Sequence, residues 1–237
     1  MPRKQAGFTL VEIAIVLVII GLLLGGVLKG QELINSAKIK NMINDFRSTS
    51  TFVSGYQDRF RAFPGDQTGP QLVNNFGLTP VTPFGGGAPI PATAGNPPAN
   101  NGNGHLDGNW NDPLGTTSES NVFWQHVRLA NLAAGATDVA DPNYIPRNAD
   151  GGQIGIESGL TPAGVALPYI LGMRGSYYVC MGSVLGRYAR QIDTTMDDGN
   201  TAGGSVMVVP QGSGRGTAPT LTAAIVDGSQ YIVCAGF

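Results

Sequence analysis

The sequence predicts an α+β protein: a long N-terminal helix, able to cross a membrane with its first half, packed through its second half against an antiparallel β-sheet head. Three observations predict it. Residues 8–28, FTLVEIAIVLVIIGLLLGGVL, are apolar except for one charge, Glu12. Apolar residues then recur at helical spacing as far as Phe60, with no proline between Phe8 and Phe63. The last quarter of the 237-residue chain breaks into short β-rich runs separated by glycine and polar turns.

The first half of the helix is long enough to cross ~30 Å of hydrocarbon. Arg3 and Lys4 precede it, which keeps the N-terminus on the cytoplasmic side and places the rest of the chain outside. An ordinary secretory signal has a shorter apolar core and a small-residue cleavage site behind it, and neither is present. A plain single-pass anchor fits the length but leaves Glu12 without a purpose, since a carboxylate in hydrocarbon costs a few kcal/mol. Gly21, Gly25, Gly26 and Gly30 weaken the helix. They suit close helix packing in a membrane and equally, on the family resemblance that residues 4–21 carry, a helix that melts locally on assembly.

From residue 29 to 61 the helix turns amphipathic. Leu33, Ala37, Met42, Phe46, Val53, Tyr56 and Phe60 fall on one face, with Ile34, Ile39, Ile43 and Phe52 alongside. Lys38, Lys40, Asp45, Arg47, Asp58 and Arg59 occupy the other, and Pro64-Gly65 ends the run. A helix over 8–61 measures ~80 Å.

The head, 62–237, opens with a loop over 64–117 rich in Gly, Pro, Asn and Thr and without periodicity. Thr116-x-x-Glu119 reads as a capping box that starts a helix over about 117–134, stopped by Gly135. Strands are expected at Ser176–Cys180, Ser205–Val209, Leu221–Val226 and Gln230–Cys234. Between the first two, residues 189–200 (ARQIDTTMDDGN) read as a short helix ended by an Asp-Asp-Gly turn. Cys180 and Cys234 are the two cysteines; in an exported protein they read as one disulfide, the alternative being two buried thiols.

Composition excludes several functions. Charged residues make up 13% of the chain, the net charge is −2, and no basic stripe occurs beyond the first residues, so nucleic acid is not an expected partner. Asn101, Asn103, His105, Asp107 and Asp112 offer oxygen or nitrogen ligands at alternating positions, as a calcium loop does, although no glutamate ends the series and Asn-Gly turns explain the same pattern. No other cofactor is expected. His105 and His126 are the two histidines, too few for a metal or triad site of ordinary spacing, and His126 reads as a packed or surface residue. Asp197-Asp198 forms either an acid pair or, more simply, a turn. No phosphate-binding loop, dinucleotide fingerprint or nucleophile elbow appears. The chain is expected not to be an enzyme.

The stretch KQAGFTLVEIAIVLVIIG (4–21) resembles the leader and mature N-terminus of type IV pilins and type II secretion pseudopilins. The resemblance implies a leader over residues 1–7, cleavage after Gly7 by prepilin peptidase, N-methylation of Phe8 and an assembly role for Glu12. It further implies copies of the chain or other pilins as filament partners, an inner-membrane assembly platform, storage as a single-pass precursor, and a periplasmic or extracellular filament. Less specifically, FPGD (63–66) and FWQHVRLANL (123–132) resemble recurring head segments of prepilin-like proteins. The family's frequent stalk proline is absent near Lys29, which leans toward an accessory pilin or a pseudopilin. A membrane-tethered periplasmic binding or hydrolytic domain that never polymerises is the alternative from another class; it needs neither Glu12 nor a Gly7-Phe8 junction.

Overall fold

The computed structural model describes residues 10–77, 102–159 and 167–237. Helix α1 spans Leu10–Phe60, and the chain divides into one unit ending at Lys40 and another running from Asn41 to Phe237.

In the first unit α1 carries apolar side chains on every side, and most of those between Leu10 and Leu28 stand exposed. Leu33 and Ile34, expected on a packing face, are exposed as well. An ion pair between Lys29 and Glu32, 2.7 Å apart and one turn removed, follows the apolar stretch.

In the second unit the helical stripe becomes a core. Met42, Phe46, Val53 and Tyr56 are buried at alternating spacings of four, seven and three, which keeps them on one face. Arg61 adopts a left-handed conformation (φ 55°) directly after the helix. The segment expected to be loop contains α2 (Gly69–Phe76), which the sequence reading missed. The Thr68 N–H donates to Gln71 Oε1, and Gly77 closes the helix in a left-handed cap.

Helix α3 spans Glu119–Leu129, shorter than the expected 117–134. The Thr116–Glu119 capping box does not form. Ser118 is the N-cap, the Thr116 hydroxyl donates to the Pro113 carbonyl, and the Glu119 carboxylate accepts the Asp107 N–H instead. Gly135 is not the stop: Asn131, with φ 57°, turns the chain so that the Leu132 N–H returns to the Val127 carbonyl.

Strands β1 (Ile154–Glu157), β2 (Tyr178–Leu185), β3 (Val206–Pro210) and β4 (Gln230–Gly236) form an antiparallel sheet in the order β1-β2-β4-β3. Helix α4 (Gly186–Met196) leaves β2 directly and packs on β2, β3 and β4, while α3 packs on β1. Strand β1 escaped the sequence reading because it contains Gly155 and ends in a charged residue, Glu157. Gly155 is required there, since the Trp110 carbonyl occupies the space of a Cβ. The expected strand Leu221–Val226 is a 3₁₀ turn at Thr222–Ala224. Leu221 and Val226 point to solvent and Ile225 alone of the segment's large apolar residues is buried.

Cys180 and Cys234 are direct cross-strand neighbours on β2 and β4 and form the disulfide. They join Trp110, Tyr169, Met207 and Ile232 in one apolar cluster. Neighbouring positions on the opposite face (Val179, Val208, Val233) are equally buried, so the sheet is covered on both sides.

Candidate assembly site

The N-terminal segment is built from residues that nothing in its own unit covers. A window of α1 near the N-terminus has a mean hydropathy of 2.8 and no buried residue. The stretch 10–28 is ~28 Å of helix at 1.5 Å per residue, close to the thickness of a bilayer's hydrocarbon. Glu12 lies in the first turn, where a carboxylate is favourable next to the helix's positive end. A Cβ added at Gly21, Gly25, Gly26 or Gly30 would meet nothing within 4 Å. Among the described residues, no contact requires these glycines. Gly7, Phe8 and Asn101 lie outside the described residues.

The head places its own candidate residues differently from the sequence reading. The loop at 102–104 does not present oxygens to a common point. It presents three backbone N–H groups, of Gly102, Asn103 and Gly104, to the carboxylate of Asp66. A cradle of amide donors suits an anion, and that anion is a side chain of the protein. The Asn103 amide donates to Asp107, its oxygen accepts the His105 N–H, and the Asp112 carboxylate accepts from both nitrogens of Asn109. His105, Asp107 and Asp112 are not among the described acidic or histidine side chains that gather at metal-binding distance. In this loop the side-chain oxygens of Asn103, Asp107 and Asp112, three of the positions read as calcium ligands, accept hydrogen bonds from neighbouring loop residues.

His126 is fully buried on α3, and its Nδ1 accepts the Gly65 N–H at 2.8 Å. Gly65 must be glycine, because its φ is 97° and a Cβ would run into the Glu119 carbonyl. Phe63 packs edge-on against Tyr177, and the Tyr56 hydroxyl donates to Gln67. The two head segments singled out in the sequence, FPGD and WQH, thus meet in space, each side chain committed to the interior.

Residues 2–28 match the family model of the prokaryotic N-terminal methylation motif. The N-terminus carries a prepilin motif. No curated protein and no solved structure matches the chain. The prepilin motif implies processing by prepilin peptidase and pilin assembly, and together with the apolar helix it fits a membrane-anchored precursor. Behind it stands an α+β, pilin-like arrangement of a 51-residue helix and a four-stranded antiparallel sheet.

Behind the prepilin motif, the sequence reading missed the acids that organise the head. Glu157, fully buried at the end of β1, pairs with Arg215 at 2.8 Å and accepts the Trp110 N–H. Arg215 also donates to the carbonyls of Gly108 and Leu167 and to Asn109 Oδ1. Burial pushes the Glu157 carboxyl up to about 7, against the pull of Arg215. Glu119 is pushed up to about 8 by burial, with Asp66 and Asp107 adding repulsion. No local spacing announces these pairs, since the partners are brought together by the fold from distant positions.

Proposed function

We propose that this chain is a structural subunit of a type IV filament, a pilin or minor pilin, cleaved after Gly7, N-methylated on Phe8 and polymerised through α1. The observation that carries this is the methylation motif at residues 2–28, which puts Glu12 at the fifth mature position in an otherwise uncharged apolar stretch. Cleavage creates an α-amino group with a reference pKa of about 7.7–8.0, largely cationic at neutral pH. Among packed apolar helices that cation and the Glu12 carboxylate of an adjacent subunit neutralise each other. The exposed side chains of α1 face lipid before assembly and like helices after it. The head serves as display surface rather than as an enzyme. His126, buried against Gly65, supports that reading.

The processing step is tested by intact mass of the membrane-extracted protein, expected to begin at Phe8 with one added methyl group. Gly7→Leu should accumulate as a full-length precursor, and its normal maturation would sink the assignment.

A type II secretion pseudopilin is the second reading, favoured by the proline-free run between Phe8 and Phe63. Quantitative mass spectrometry of sheared fibres separates the roles. A minor share of the fibre mass is expected for an accessory subunit or pseudopilin, whereas dominance would identify a major pilin.

A further inference from the structure

The end of helix α4 holds a second cluster of acids, separate from the loop at 102–112. Asp193, Asp197 and Asp198 each place a carboxylate oxygen within 4.8 Å of the other two. Asp193 is fully buried, and neither of its oxygens has a hydrogen-bond partner. Asp197 Oδ2 accepts the N–H groups of Ser205 and Val206, and Asp198 Oδ1 accepts the N–H of Asn200. Among the described residues, no Lys or Arg pairs with any of the three. Gly204 leaves room for the cluster, since a Cβ there would collide with the Asp197 carboxylate.

Three carboxylates in this position repel one another, and the negative end of the α4 dipole adds to the cost. A buried carboxylate with both oxygens bare forfeits its hydration without replacement. All these penalties are relieved by the same species, a hard cation with oxygen ligands.

We propose that Asp193, Asp197 and Asp198 bind a calcium ion that ties the end of α4 to the start of β3. The ligand set favours calcium over magnesium: calcium takes about six to eight oxygens in a flexible shell, whereas magnesium keeps most of its waters and uses one or two carboxylates. Carbonyls at the helix end and water complete the shell. Three carboxylates in a partly open site suit a dissociation constant on the order of 10⁻⁴ M, in the range of extracellular calcium modules. The inference does not depend on the filament reading, since it concerns the head alone.

The test uses the purified full-length chain in detergent, stripped with EDTA and titrated with calcium or magnesium, followed by calorimetry and thermal melting. Calcium should raise the melting temperature by several degrees and magnesium by less. Asp198→Asn, at an exposed position, should fold normally and bind calcium at least ~10-fold more weakly, the loss of one of the few charges that set affinity. Asp193→Asn should melt at or above the wild type in EDTA, because repulsion is relieved, and should lose the calcium response. Asp107→Asn, in the other loop, should keep it. Absence of any calcium shift in the wild type overturns the proposal. So does a full calcium response in Asp198→Asn, or a response abolished by Asp107→Asn instead.

Discussion

The stretch 10–28 of α1 and the acids of the head invert the usual distribution of polarity. Leu10 is 91% exposed and Leu22 73%, while Glu119, Glu157 and Asp193 are each 0% exposed. Among the described residues of its own unit nothing covers the apolar helix, which fits a membrane-anchored precursor. Asp193 apart, the hidden carboxylates of the head gather donors around themselves. Asp66 gathers three loop amides, and Glu157 holds Arg215 and Trp110. One region leaves its apolar side chains exposed; the other is completed by contacts between distant parts of one chain.

Substitutions can break each side of this contrast. The largest effect is expected for Glu12→Leu, which should insert and be processed normally yet enter filaments at least ~10-fold less efficiently, since breaking a buried charge pair on one side costs about 3–5 kcal/mol. Immunoblots of sheared fibres against membranes measure it. Unchanged incorporation would show that the first region needs apolarity alone.

In the head, Arg215→Ala leaves Glu157 buried without its partner and should destabilise the fold by roughly 3–5 kcal/mol at pH 8 in denaturant unfolding. The loss should shrink at pH 5. A carboxyl whose folded pKa lies above its unfolded value contributes most below the unfolded value and loses stability as pH rises through the folded one. At pH 5 Glu157 is neutral and needs no counterion.

The smallest effect should come from Glu119→Gln. Glu119 titrates at about 8 in the fold against an ordinary 4.5, so wild-type stability falls as pH rises across that window. The amide removes this dependence. The variant should match the wild type near pH 4.5 and exceed it by roughly 1–3 kcal/mol at pH 9, allowing for relaxation around the site. Parallel melting curves at every pH would show that burial of the acid carries no cost.

How much was legible in advance differs along the chain for the same reason. Helix α1 was visible because its signal is local: an apolar run, then Met42, Phe46, Val53 and Tyr56 at a helical period, then Pro64-Gly65. Strands β3 and β4 and the disulfide were visible too, each a short apolar run or a lone pair. The misread elements were those whose partners lie far off. Thr116-x-x-Glu119 has the local form of a capping box, but Glu119 is drawn to the Asp107 N–H across the loop. The amides of Gly102, Asn103 and Gly104 converge on Asp66, 36 residues before Gly102, and no local spacing announces that contact.

Residues 1–60 thus carry their own explanation, because membrane insertion, cleavage and helix formation act on contiguous residues and read nothing else. The loops and acids of the head do not, because a buried carboxylate is tolerable only beside donors that neutralise it. Whether Asp66, Glu119 or Glu157 has such donors depends on chain segments 12 to 58 residues away, which come within reach only in the folded head.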